Sequence, residues 1–182
     1  MVCFDSGFLA ILFNPDPGIP HDPSTGQEVP HAKQRIEFLV DTLSKEDEQI
    51  LIPTPALSEV LIALGKTAAS QAVDEIHGES AFKVEAFDER AAIELALMSE
   101  LVPGQKKRKE QEGTWAKIKF DRQIVAIAKV NGVSSIYTTD KDVRNLAISQ
   151  GLTAIALHDL PLPPPTTPNM FEVTNAEENP TE

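Results

Sequence analysis

The stretch Val2-Cys3-Phe4-Asp5-Ser6-Gly7-Phe8-Leu9-Ala10-Ile11-Leu12-Phe13 sets the pattern from which the fold of this chain can be read. Three consecutive apolar residues form a short strand of the kind buried on both faces. The run stops at Asp5, and Ser6 is positioned to cap a short helix over 7–13, with Phe8, Leu9, Ile11 and Leu12 on its apolar side. The alternation then repeats. Ile50-Leu51-Ile52 is a second buried-type strand. Thr54-Pro55 opens a helix over 55–64, threonine as N-cap and proline at the first helical position, and Gly65 stops it. A short helix over 67–77 and a strand at Phe82-Lys83-Val84 follow. Asp88 caps a helix over 89–101 that Pro103 and Gly104 end. Further on come a helix over 118–130 closed by Asn131-Gly132, a strand over 134–138, a helix over 141–150 and a last strand over 153–157. Strands alternating with helices predict an α/β layer fold around a mostly parallel sheet, in which ligands collect at the carboxyl ends of the strands.

Two segments break the pattern. Residues 14–30 hold five prolines and no periodic apolar run, so they read as an excursion outside the core, before an amphipathic helix over 31–43 with Ile36, Leu39, Val40 and Leu43 at helical spacing. Beyond residue 160 the chain is proline-rich and acidic, which reads as a disordered tail over 161–182. The expected organisation is one domain over 1–160, interrupted by the excursion at 14–30 and by a basic loop at 103–115. A chain of 182 residues, 41% hydrophobic, has one sizeable core. It has one cysteine, Cys3, placed as a small buried hydrophobe, and so no intrachain disulfide. No apolar stretch reaches membrane-spanning length and the N-terminus lacks the marks of a signal peptide, so no membrane association and a cytoplasmic location are expected.

The formal net charge of −12 argues against a nucleic-acid partner until its distribution is considered. Between Lys106 and Arg144 there are ten basic residues against five acids, whereas the rest of the chain has six against 23. A basic strip can steer a phosphodiester if it shares a face with catalytic acids. The segment 105–112 by itself reads equally as a solvated loop.

The acids are the remaining signal. Asp5 ends the first strand and Asp140 the fourth, so a parallel sheet brings them to one edge. Each also has a structural explanation: Asp5 at a strand-to-helix turn, Asp140 as N-cap of the helix at 141. Asp142, in the first turn of that helix, is explained as well by the helix dipole as by a metal. Glu59, three residues after Ala56 and three before Ile62, is expected to border the apolar face of its helix. Asp121 shares a side with Ile124, Val125 and Ala128, and Arg122 or Lys119 could pair with it. Buried carboxylates are costly unless paired, protonated or bound to a cation, and hard divalent cations suit such oxygen ligands. Neither a His/Cys pattern for zinc nor a phosphate-cradling glycine loop is present.

Four segments together resemble the PIN-domain ribonucleases, which include the toxin half of many bacterial toxin–antitoxin pairs: Val2 to Ser6, Ile52 to Val60, Phe120 to Ala128 and Ile136 to Asp142. They come in the family's order and span nearly the whole globular part. The resemblance implies a three-layer α/β/α sandwich, with Asp5, Glu59, Asp121 and Asp140 as catalytic, metal-binding acids, Asp142 as a further, variable acid and Thr139 as a polar residue beside the site. It implies an Mg²⁺- or Mn²⁺-dependent endoribonuclease leaving a 5′-phosphate and a 3′-hydroxyl. Ser6, Thr139, Lys119, Arg122, Lys141 and Arg144 are then candidates for contact with RNA. A small antitoxin and a homodimer are the expected protein partners. The excursion, the basic loop and the tail depart from compact toxins. A metal-dependent phosphatase and a non-catalytic binding module are the alternatives. The phosphatase would place a second acid two residues after the first, where this chain has Gly7.

Overall fold

The computed structural model describes residues 1–100 and 112–164, without the side chains of 99–100 and 112–118. Five strands lie in one sheet: β1 (Val2–Phe4), β2 (Ile50–Pro53), β3 (Phe82–Glu85), β4 (Ser135–Thr138) and β5 (Thr153–Ala156). The helices between them are α1 (Ser6–Phe13), α2 (Ala32–Lys45), α3 (Thr54–Gly78), α4 (Glu89–Glu100), α5 (Glu112–Val130) and α6 (Lys141–Ser149). Every pairing is parallel, in the order β3-β2-β1-β4-β5. α1 packs with α2 and α3, and α5 packs with α4 and α6, giving the expected α/β/α sandwich. Among the described residues no helix is long and apolar enough to cross a membrane.

The chain moves from β1 outward through β2 to β3, then returns to the other side of β1 for β4 and β5. The direction of winding therefore reverses between β1 and β4, and the crevice outside their carboxyl ends is where such sheets hold ligands. Packing fixes that junction. Phe4 at the end of β1, Phe8 in α1 and Tyr137 in β4 form an aromatic triangle with centroids 5.5 to 5.8 Å apart. Each contact of this kind contributes about 0.5–1.5 kcal/mol beyond area burial. Phe4 and Phe8 are fully buried, so the residues that follow them in sequence have little freedom to drift.

Local chemistry shifts several predicted boundaries. The cap of α1 is Asp5, whose side chain accepts the Phe8 N–H, and Ser6 is already helical. A carboxylate is as good a cap as a hydroxyl, and Asp5 has the extended backbone a cap requires. The helices read over 55–64 and 67–77 join end to end as α3, kinked at Gly65, whose φ of 72° an L side chain adopts only with strain. α5 begins at Glu112, inside the segment read as a basic loop; 101–111 and the tail from 165 lie outside the described residues.

The excursion at 14–30 differs most from expectation. His21 and Glu28 form an antiparallel bridge, and Asp22 and Val29 are buried. Asp22 N–H donates to Gln27 O and Val29 N–H to Pro20 O, both at 2.8 Å. Prolines hid this hairpin because it has too few residues to show a period of two.

Candidate active site

Asp5 is 2% exposed at the carboxyl end of β1. Its Oδ1 accepts the Phe8 N–H at 2.9 Å, and its Oδ2 accepts the hydroxyl of Thr138 across the β1–β4 junction. Thr138, also 2% exposed, in turn accepts the Asp140 N–H at 2.9 Å. One hydroxyl therefore ties the turn after β4 to the carboxylate after β1, although 133 positions separate Thr138 from Asp5. Burial pushes the Asp5 carboxyl up to about 6; the bonds from Thr138 and Phe8 oppose that rise, and the nearby Asp140 charge adds to it. Asp140 is itself the cap of α6, its Oδ1 accepting the Asp142 N–H at 2.7 Å. Both structural readings of these acids hold, and the two charges still stand close enough to repel each other.

Gly7 closes this side of the site. A Cβ there would stand 1.9 Å from the Thr139 hydroxyl and 3.4 Å from Asp5 Oδ1. The first turn of α1 thus lies against the β4–α6 turn with no room for a side chain. A second acid two residues after the first, as the phosphatase alternative would use, does not fit at this position.

The other predicted acids lie on α3, α5 and α6. Glu59 is exposed on α3, and Ile62, expected on the same buried stripe, is 82% exposed; the stripe that packs inward is Ala56 and Val60. Asp142 is exposed and Asp121 partly buried near the middle of α5. Ser6 and Thr139 are partly buried beside Asp5 and Gly7. Among the described residues no group of three or more acids, histidines or cysteines converges closely enough to hold a metal ion. Of the basic strip, 106–109 and the Lys117 side chain lie outside the described residues. Lys119 and Lys141 are exposed, Arg144 is partly buried, and Lys129 pairs with Glu94 at 2.7 Å. Arg122 is buried in α5, where desolvation pulls its guanidinium below its ordinary range.

A cleft opens beside Asp140. One wall is Thr138, Thr139, Asp140, Lys141 and Arg144; the other is the hairpin, through His21, Asp22, Pro23, Ser24 and Val29; Ala156 and Leu157 complete it. Sequence reading missed Thr138, the hairpin wall and His158. The adjacent threonines of Thr138-Thr139-Asp140 were a usable signal for the first. Nothing local marked the other two, because their roles depend on distant partners.

No family model matches the sequence, and neither does any curated protein. Solved structures do match in shape. VapC20 of Mycobacterium tuberculosis, a sarcin-ricin loop cleaving toxin, aligns with 88% of this chain and 100% of its own at a TM-score of 0.52 and 17% identity. The DNA-bound VapBC of Salmonella typhimurium aligns with 86% of this chain and 99% of its own at a TM-score of 0.52 and 14% identity. At such identities the likeness carries the fold alone, and with the parallel sheet and its winding it gives this chain the PIN-domain fold of the VapC toxins.

Proposed function

We propose that this chain is a divalent-cation-dependent endoribonuclease whose reaction takes place at the crevice between the ends of β1 and β4. The observation that carries this reading is the buried Asp5 carboxylate facing Asp140, with its affinity for protons raised and no base among its partners. Two repelling acids at a sheet's switch point fit a hard cation, which would relieve both the burial cost and the repulsion. Asp5 and Asp140 would hold Mg²⁺ or Mn²⁺, with Asp121, Glu59 and Asp142 as the further acids to be tested. Bound there, the cation would supply an activated water and stabilise the charge of the departing oxygen. Thr138 holds Asp5 in place, Gly7 lets the α1 turn close on Thr139, and Lys141, Arg144 and Lys119 offer charge to the RNA backbone.

The VapC neighbours support a ribonuclease and, through the VapBC complex, an antitoxin partner. Exposed Ile93 and Leu97 on α4 and Phe120 on α5 are apolar surface that an antitoxin or a second copy would cover. A binding module without catalysis is the competing reading, favoured by the exposure of Glu59 and Asp142. Cleavage of a mixed RNA pool in Mn²⁺ and in EDTA decides between them. The nuclease reading expects cleavage lost in EDTA and reduced at least about 100-fold by Asp140→Asn. A wild-type chain that leaves RNA intact in Mn²⁺ overturns it.

A further inference from the structure

We infer that the hairpin over 21–29 is a substrate wall: it takes one single-stranded RNA nucleotide between itself and α6, and thereby sets base preference beside the cut. The inference deepens the nuclease reading and rests on it for the cut, though not for the binding.

The first argument is charge. Lys141 and Arg144 line one side of the cleft, and neither makes a side-chain hydrogen bond or ion pair among the described residues. In a chain of net charge −12, two unpaired cations beside a carboxylate pair suit a phosphate. The second argument is the opposite wall. Pro23 offers an apolar surface for a ribose or base, Ser24 an exposed hydroxyl, and His21 an imidazole that every base can stack on. The hairpin and the start of α6 line one cleft together, so its walls stand close enough for a single strand and too close for a duplex.

The third argument is rigidity. Asp22 Oδ1 accepts the N–H groups of Ser24 and Thr25 at 2.8 and 2.7 Å, while Oδ2 meets His158 Nδ1 at the end of β5. The far ring nitrogen of His158 lies 3.3 Å from Asp159 Oδ1. Arg35 Nε of α2 donates to Pro30 O at 3.2 Å just beyond the hairpin, and Val29 is anchored in the core. Such a wall binds without first losing loop entropy, which is what a selective surface needs. A proline-rich segment serving only as a tether would require none of these ties.

The test uses the full chain and a labelled single-stranded RNA hexamer of mixed sequence. Anisotropy is measured in EDTA, so that nothing is cut, and cleavage sites are mapped in Mn²⁺. His21→Ala combined with Ser24→Ala alters exposed side chains only. It is expected to weaken binding about 3- to 10-fold with an unchanged salt dependence, and to flatten base preference next to the cut. Lys141→Ala with Arg144→Ala is expected to weaken binding about 10-fold or more and to reduce the salt dependence. Wild-type affinity in the His21/Ser24 variant, or no RNA binding by the wild type, overturns the wall. Wall-dependent binding without any cleavage in Mn²⁺ upholds the wall and sinks the nuclease reading instead.

Discussion

Asp5 and Asp22 are both buried aspartates that accept backbone N–H groups at the start of a turn, yet the fold drives their acidities in opposite directions. Asp5 is pushed up by burial to about 6, and its bonds from Thr138 and Phe8 do not offset that. Asp22 also feels burial, but Thr25 and Ser24 N–H donors, the Thr25 hydroxyl and the His158 charge outweigh it and hold the carboxyl below its usual range. The difference lies in the company each keeps. Asp22 faces an imidazole and serves to fasten the hairpin; Asp5 faces another carboxylate, and an acid left in that state is available for a cation. Satisfied carboxylates build structure, and a dissatisfied one marks a site.

The largest effect expected from this contrast is at Asp5. Its folded pKa stands above the unfolded 3.8, so its cost to stability is absent below that pH and grows as pH rises through about 6. Above that range the metal-free protein carries about 3 kcal/mol of strain from this group. Asp5→Asn should therefore stabilise the metal-free chain by up to that amount at pH 8, and leave it unchanged near pH 3.5. Urea titrations across that pH range give the answer, and equal stability of the two proteins at pH 8 would break the contrast. In the same titrations Mn²⁺ should stabilise the wild type and have little effect on Asp5→Asn.

Next in size is Gly7→Ala. The added methyl meets Thr139 and Asp5 Oδ1 in a place without space, which should cost about 2 kcal/mol in a thermal or urea melt. Thr138→Val should cost about 1 kcal/mol by leaving the Asp140 N–H and Asp5 Oδ2 short of a partner. It should also raise the Asp5 carboxyl further, a shift that NMR titration of the side-chain carbon would follow. The smallest global effect is expected at Asp22→Asn. There the carboxylate's contribution exists above its unfolded pKa and is lost as pH falls through its lowered folded value. Faster hydrogen exchange at the amides of Thr25 and Val29, with little change in the global melt, is the expected result; unchanged exchange would mean that the hairpin holds without its carboxylate.

Where sequence reading succeeded, the information was local. Val2 to Phe4 and Ile50 to Ile52 are apolar runs that only a doubly covered strand tolerates, and Gly65 broke its helix where expected. Asp5 and Asp140 were found because a strand's carboxyl end is visible in sequence. Glu59, expected to border the apolar face of its helix, is exposed beside the buried Ala56 and Val60, whereas Ile62 turns outward because a three-residue spacing defines a stripe without saying which stripe packs. Arg122 is a candidate RNA contact by charge and sequence proximity alone, and its burial in α5, which packs against α4 and α6, is decided by residues far from it in the chain.

The sequence by itself determined the alternation of strands and helices, their caps and breaks, and the two acids at strand ends, because these depend on residues within a turn or two of one another. Only the tertiary structure decided that β4 lies beside β1, that Thr138 joins Asp5 to Asp140, and that Asp22 reaches His158 to stand the hairpin against α6. Those contacts join segments distant in the chain, and their strength comes from burial and from which charges meet, neither of which exists before the chain has folded.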